Sequence, residues 1–503
     1  MIRTCLFFFL ATINVIHTQN SIGLRALATL RGLTLGSEAP VAYLRGDADM
    51  GQYISMLKQN IDLIIPASAF MPTHTWMNEN QYNFTDTDWL VGSTPNTTGW
   101  IQQNRMLVKA HALIWGKDYR VPTWLLEQEA SITPAKALSL LSDFIHTIAG
   151  RYRGKIYWWN VINEAISDYN QTTAFNLENS FWYRKLGADY IKYAFIFARE
   201  ADPNVKLFYN EYSIEHGGYK ADNTLALLKW LKSEGVSVDG LGMQWHISTT
   251  EVITPGDAHY QIAQQFIDLN LLVAITELDV SMKTNGAYPA DPNDFIKQAQ
   301  IYRSMFQYAL HFYPNISSVA TWGFTDRYSF VSTSSNYTRG NALTLDCQYQ
   351  PKPAFWEVQE ELGRVLADGL YKISPISQPD HCLGTTSNNT NSTLQLYADS
   401  CKNTNEQWNV TWQKDGTYRF SPQNTIESAL NAYNASITIG QVGTTQWTGD
   451  TNQEWVITPK GNDTFRLGPR NAWWRVLTVY NASIIAIVDD RQSDLQYWTL
   501  TMI

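Results

Sequence analysis

The sequence predicts an α/β chain: a (β/α)8 barrel of the TIM type, followed by a smaller, closed all-β domain. Three observations carry this reading. Short apolar, β-branched or aromatic runs alternate with longer helical patterns from about residue 24 to 365. Past Pro351 the texture changes, and from about Tyr371 the chain is rich in Asn, Thr and Ser with little helical periodicity. A tryptophan-centred unit then recurs, at NEQWNV around Trp408, NQEWVI around Trp455 and LQYWTL around Trp498.

The strand candidates, in order, are RGLTLGS (31–37), IDLIIPAS (61–68), MLVKAHALIW (106–115), KIYWWNVINE (155–164), VKLFYNEY (205–212), VDGLGMQWHI (238–247), LLVAITELDV (271–280) and SSVATWGF (317–324). Patterns such as PAKALSLLSDFIHTIAGRYRG (134–154) and KLGADYIKYAFIFAREADP (185–203) lie between them, with apolar residues recurring at helical spacing. Strands separated by helices pair in parallel through right-handed crossovers, and eight such units close a barrel whose chemistry sits at the C-terminal strand ends. Those ends carry Ser68, His111 with Trp115, Glu164, Glu211, His246 and Glu277, with Asp326 just beyond the last. QYQPKPAF reads as the barrel's exit and EVQEELGRVLAD as a last helix. The repeated tryptophans stand 47 and 43 residues apart, beside strand-like units such as DGTYRF (415–420) and NDTFRL (462–467). Three copies of an all-β unit that none could form alone imply a closed threefold body.

Composition narrows the function. The 503 residues are 44% hydrophobic, enough for packed cores, and only 17% charged. A balance of 37 basic against 46 acidic residues, net −9, argues against a nucleic-acid partner. With 19 Trp and 27 Tyr, a surface poor in charge suits a neutral, hydroxylated ring ligand such as a sugar polymer. Arg3 followed by the apolar run Cys5 to Ile16 reads as a signal peptide over residues 1–19, with a buried N-terminal helix as the alternative. No segment has the apolar length of a membrane span, so no membrane partner is expected. N-x-[ST] sequons at Asn83, Asn96, Asn170, Asn315, Asn336, Asn388, Asn391, Asn409, Asn434, Asn462 and Asn481 fit a secreted, extracellular glycoprotein. No metal or other cofactor is expected, because no His/Cys/Asp cluster has ligand spacing, and the chain is expected to be a monomer.

Glu164 in YWWNVINEA and Glu277 in AITELDV fall at the ends of the fourth and seventh strand candidates. Two carboxylates facing each other across a barrel mouth are what glycosidic cleavage requires: one protonates the leaving oxygen, the other attacks the anomeric carbon or activates water. A separation of about 5–5.5 Å gives a covalent intermediate and retention, while about 6.5–9.5 Å admits water and gives inversion. Glu277 and Asp279, two apart on a strand, point to one face, as do Gln244 and His246.

WWNVINEA resembles the W-D-V-V-N-E-A signature, and ITELDV the T-E-L-D signature, of glycoside hydrolase family 10, the endo-β-1,4-xylanases. The likeness runs through most of residues 24–365, with GRYRGKIYWWNVINEA, HALIW, LFYNEY, VDGLGMQWH, TWGFTDRYSF and YQPKPAF in family order. The resemblance implies a barrel catalytic domain over 24–365 acting on xylan or a related β-glycan by double displacement. Glu164 would be the general acid/base and Glu277 the nucleophile, with Asn163 holding the 2-hydroxyl of the sugar under attack. It further implies that His246 bonds the nucleophile and is held in turn by Asp279, that Gln244 lies near nucleophile and substrate, and that His111, Trp115, Asn210, Tyr212 and Trp322 are substrate-site residues.

The chain departs from this family at several places. Where the second strand runs into P-E-N-E-M-K-W, whose Glu, Asn and Lys bind sugar on the non-reducing side, this sequence reads PASAFMP (Pro66–Pro72). In the simplest register Ala67, Ser68, Met71 and Pro72 replace Glu, Asn, Lys and Trp; an alternative with an insertion places Trp76 in the Trp slot. Each lost hydrogen bond to sugar costs on the order of 1 kcal/mol, more for charged groups. Gly116 stands for the His after HxLxW, Phe330 for a Trp, and Asn160 for the Asp of the W-D signature. The chemistry is therefore expected intact and the glycone grip altered.

In the C-terminal part, the Q-x-W spacing (Gln453–Trp455, Gln496–Trp498, with Glu406–Trp408 as a variant) and HCLGTT…LQLYADSC are similar to ricin-B-type β-trefoil lectins. That resemblance implies a trefoil over residues 369–503, a possible carbohydrate ligand, and a Cys382–Cys401 disulfide. The Asp usual after its C-L pair is Gly384 here, and the second repeat offers Asn431. Cys347 is expected to be a buried thiol. Two other readings stand beside the xylanase: a hydrolase of another β-glycan or glycoside, and a catalytically silent secreted carbohydrate-binding protein.

Overall fold

The computed structural model describes residues 23–503 other than 47–49, 95, 286–287, 292, 399–400, 414–415, 434–438, 462–463, 473–474 and 481–483. The expected signal peptide and the sequons at Asn434, Asn462 and Asn481 lie outside the described residues. Contacts divide the chain into one unit spanning 32–355 and another made of 23–31 with 356–503.

The first unit is built on eight parallel strands: β1 (Thr34–Glu38), β2 (Leu63–Ile65), β3 (Leu107–Trp115), β4 (Trp158–Asn163), β5 (Lys206–Glu211), β6 (Gly240–Met243), β7 (Leu272–Asn285) and β8 (Ile316–Thr321). Each pairs in parallel with the next, and β8 pairs with β1, so the sheet closes into a barrel. Parallel strands covered on both faces need near-continuous apolar residues, and β2, β4 and β6 are buried throughout. Leu63, Trp158, Phe208 and Ala274 pack together inside, with the Trp158 and Phe208 rings 4.1 Å apart.

Local chemistry explains the helices. Pro134–Arg151 starts on Thr133, whose hydroxyl accepts the Lys136 N–H, with proline in the first turn; Leu140, Leu141, Phe144, Ile145 and Ile148 form its buried stripe. The pattern over 185–203 breaks in two, Phe181–Leu186 and Asp189–Ala201, because Gly187 takes φ +61° between them. The run 238–247 also breaks. After β6, Trp245 adopts φ +60° and a short strand, His246–Ser248, restarts against β7. Gln244 and His246 still face the mouth, from separate segments rather than from one strand.

The second unit holds a closed six-stranded antiparallel barrel: β9 (Gly369–Pro375), β12 (Gln407–Gln413), β13 (Thr417–Pro422), β16 (Trp455–Gly461), β17 (Thr464–Pro469) and β20 (Trp498–Met502). Three further hairpins make a second sheet: β10–β11 (His381–Thr385, Ser392–Ala398), β14–β15 (Ser428–Tyr433, Gly440–Gln446) and β18–β19 (Arg475–Tyr480, Ile484–Asp489). The repeated tryptophans are fully buried. Each satisfies its indole N–H on the carbonyl of the equivalent leucine: Trp408 on Leu383 at 2.8 Å, Trp455 on Leu430 and Trp498 on Leu477 at 2.9 Å. Cys382 and Cys401 form a disulfide. Cys347, in the first unit, is half-buried rather than buried, since it sits in the loop before Pro351 instead of on a strand.

Candidate active site

The expected residues converge at the C-terminal mouth of the first barrel. Strand register brings His111 beside Asn160, Trp115 beside Asn163, Asn163 beside Asn210, and Asp279 beside His246. Glu164 ends β4 with φ +52°, a left-handed turn that costs a non-glycine residue about 1–2 kcal/mol and swings its side chain away from the strand direction.

Two residues link the two acids, each bonding one carboxylate and the backbone of the other. The Asn210 side-chain amide donates to Glu277 Oε1 at 2.8 Å, while the Asn210 main-chain carbonyl accepts the Glu164 N–H at 3.0 Å. The Gln244 side-chain amide donates to Glu164 Oε1 at 2.9 Å, while the Gln244 main-chain carbonyl accepts the Glu277 N–H at 3.0 Å. Trp115 adds an indole N–H to Glu164 Oε2 at 3.1 Å. Thr276, which the motifs did not single out, donates to Asn210 Oδ1 at 2.7 Å and so fixes which way that amide points. A Cβ at position 242 would stand 2.1 Å from the same Asn210 oxygen, so glycine there makes the arrangement possible.

His246 donates from Nδ1 to Asp279 Oδ2 at 2.5 Å and from Nε2 to Glu277 Oε2 at 3.3 Å. Burial works against the charged ring. The Asp279 charge and hydrogen bond, then those of Glu277, overcome it and push His246 up to about 10. The ring keeps 27% of its side-chain surface open, which eases the burial cost. Burial alone would raise Glu277; the His246 hydrogen bond and the positive charges of Lys109 and His246 hold it down to about 2. Burial is the largest influence on Glu164 as well, and there it prevails. Its carboxyl is raised, with the Glu277 charge adding to the effect and Gln244, Lys117 and Trp115 opposing it.

Asn163 has its oxygen committed twice, accepting from Asn160 at 3.0 Å and from Asn210 at 2.7 Å. Its amide nitrogen, though buried, has no partner among the described residues, nor has His111 Nε2. Asn160 also donates to His111 Nδ1 at 2.9 Å, and burial drives His111 down to about 3, so the ring is neutral with its other nitrogen as donor. Both unmet donors lie where a sugar hydroxyl would satisfy them. The Trp322 ring lies 5.5 Å from His111 and 6.3 Å from His246, and Phe330, in the expected Trp place, lies 5.7 Å from His246.

On the β2 side the departures leave little polar grip. Ala67 takes φ +45°, Ser68 shares a hydrogen bond with His74 at 3.1 Å, and Met71 and Pro72 are buried. Trp76 is buried too, stacked on Phe144 at 4.7 Å. Residues the motifs did not reveal also shape the field. Glu38, at the end of β1, is raised to about 8 by burial and then by the Glu277 charge. Buried Lys109 is lowered to about 8 by burial, against the pull of Glu277. Behind Glu164, Lys117 donates to Tyr212 at 2.8 Å, Tyr212 donates to Asp168, and Lys220 pairs with Asp168 at 2.9 Å and Glu211 at 3.1 Å.

The chain's relatives carry the same kind of chemistry in their names. Residues 23–361 match the model of "Glycosyl hydrolase family 10". Over 321 residues the chain is 32% identical to endo-1,4-beta-xylanase B of Thermotoga neapolitana, covering 64% of this chain and 86% of that protein. It is 36% identical over 263 residues to endo-1,4-beta-xylanase A of the same organism, a longer protein of which it spans 24%. Among solved structures, xylanase 10B of Thermotoga petrophila RKU-1 in complex with xylobiose superposes with a TM-score of 0.61 at 31% identity, covering 69% of this chain and 99% of that one. With the family model spanning more than half of its length and its two acids at the barrel mouth, the chain is a glycoside hydrolase and belongs to glycosyl hydrolase family 10.

Proposed function

We propose that the chain is a secreted endo-β-1,4-xylanase that retains anomeric configuration by double displacement. The observation that carries this is the opposed shift of the two buried acids: Glu277 is held down at about 2, and burial raises Glu164 towards its protonated form. In the first step Glu277 attacks the anomeric carbon and the glycosidic C–O bond breaks, its electron pair leaving with the aglycone oxygen, which takes the Glu164 proton. In the second, Glu164 as carboxylate takes a proton from water, the resulting hydroxide oxygen bonds the anomeric carbon, and the Glu277 ester breaks. The open Asn163 amide meets the sugar 2-hydroxyl, a contact that tightens as the ring flattens. His111, Trp115, Asn210, Tyr212, Gln244, His246 and Trp322 line the sugar site, and Asp279 supports it through His246.

The altered Pro66–Pro72 segment favours a second substrate reading, a decorated xylan or another β-glycan. Proton NMR of the first-formed product, with turnover compared on linear xylan, arabinoxylan and mixed-linkage glucan, tests both. β-Anomer first and xylan cut fastest is expected; α-anomer first refutes retention, and a preference for mixed-linkage glucan refutes the xylanase assignment.

For residues 369–503 we propose a ricin-B-type β-trefoil that binds carbohydrate and raises the local concentration of enzyme on polysaccharide. The three equivalent indole–carbonyl bonds support the threefold reading. The second repeat is the candidate sugar lobe, since Asn452 donates to Asn431 Oδ1 at 2.5 Å. In the first repeat a Cβ at Gly384 would stand 2.8 Å from the Asn405 carbonyl oxygen. Retention of the full chain on galactose resin or insoluble xylan, lost in N431A with hydrolysis of soluble substrate unchanged, is the expected result. Equal retention of N431A removes this lobe from the reading.

A further inference from the structure

One of the departures from the family pattern, Gly116, is followed directly by Lys117, and the structure joins the two to the acid. A Cβ at position 116 would stand 2.4 Å from Ala165 Cα and 2.5 Å from the Glu164 carbonyl oxygen. No side chain fits there, and the Gly116 N–H bonds the Asn163 carbonyl at 2.8 Å. The loop after β3 therefore lies directly against the end of β4, and the next residue is delivered to the acid. Lys117 Nζ stands 3.9 Å from Glu164 Oε2 and 3.5 Å from Asp168 Oδ2. It is held there by the Tyr212 hydroxyl at 2.8 Å and lies 5.0 Å from the centre of that ring. Lys220 also lies against Tyr212, 3.2 Å from its ring centre, and ties Asp168 to Glu211.

We propose that Lys117 is a positioning residue for Glu164, and that its ammonium, braced by Tyr212 and Asp168, sets the pH above which the glycosidic bond is no longer cut. The proposal rests on the reading of Glu164 as the acid/base. The titratable groups that Glu164 feels come from every neighbouring element: Lys117 and Tyr119 after β3, Glu211 at the end of β5 with Tyr212 just beyond it, and Glu277 on β7. Arg120 lies over Trp115, which bonds the same carboxylate. Lys117 is the cation that acts most strongly on Glu164 among the described residues, opposing Glu277 and burial. A neighbouring cation favours the ionised acid, so its loss makes Glu164 hold its proton to higher pH.

The test uses the full chain and two aryl β-xylobiosides, one with a phenyl leaving group that needs a proton and one with a 2,4-dinitrophenyl group that needs none. In K117M the alkaline limb of kcat/KM on the phenyl substrate moves up by on the order of one pH unit. The limb on the dinitrophenyl substrate stays, and K117R returns the wild-type profile. K117Q, which keeps a donor for Tyr212, gives the same displacement as K117M and covers the case in which the methionine variant folds poorly. An unmoved limb on the phenyl substrate in folded K117Q overturns the proposal, as does an equal shift with both substrates. E164A separates the two layers: if it cuts the phenyl substrate normally, the acid/base assignment itself is wrong. If it loses only the phenyl substrate while K117Q leaves the profile unchanged, Lys117 alone is excluded.

Discussion

Glu164 and Glu277 are the same residue type, both buried at one barrel mouth, and their surroundings push them in opposite directions. Glu277 receives an amide from Asn210 and a charged imidazole from His246, with the Lys109 ammonium adding positive field. Glu164 receives two neutral donors, Gln244 and Trp115, and a single ammonium at the longer distance of 3.9 Å. Burial penalises the charged form of both. The contrast teaches that desolvation is common to the pair, and that the quality of the compensating donors decides which acid is ionised.

That contrast can be broken from either side. The largest effect is expected for E277Q, which removes the attacking oxygen's charge and should lower kcat by about 10⁵-fold on every substrate, measured as reducing-sugar release. E164A should be selective: about 10²–10⁴-fold on xylan, far less on an activated aryl glycoside. If both variants fail equally on both substrates, the two acids do not divide the labour. The smallest effect belongs to H246Q. Losing a hydrogen bond to a charged group costs about 1.5–3 kcal/mol, or roughly 10–150-fold in kcat/KM. Because His246 helps hold Glu277 at about 2, its loss raises the nucleophile, and the acid limb of the pH profile moves to higher pH. An acid limb that stays in place would show that Asn210 and Lys109 suffice to keep Glu277 charged.

Much of this site was legible in the chain itself. Glu164, Glu277, Asn163, His246 and Asp279 sit in motifs that place them at strand ends, and the two-residue spacing of Glu277 and Asp279 puts those two on one face. The barrel followed from alternating runs, because a strand period and a helical period are properties of local sequence. What was not legible depends on backbone placement. Trp245 turns left-handed and divides a run that reads as one strand. Lys117 is an ordinary surface lysine in sequence, and becomes a neighbour of Glu164 only because Gly116 lets two loops touch. Lys109 falls inside an apolar strand pattern, and nothing in that pattern reveals that its ammonium lies near the nucleophile.

The glycine at position 242 has a consequence for how such a molecule changes over time. The segment from Pro66 to Pro72 departs from the family pattern even though Phe70, Met71 and Pro72 are buried. A single methyl group on the floor beneath Asn210 would displace the amide that bonds Glu277. The segment after β2 has taken substitutions, while that floor is closed to any side chain larger than a hydrogen.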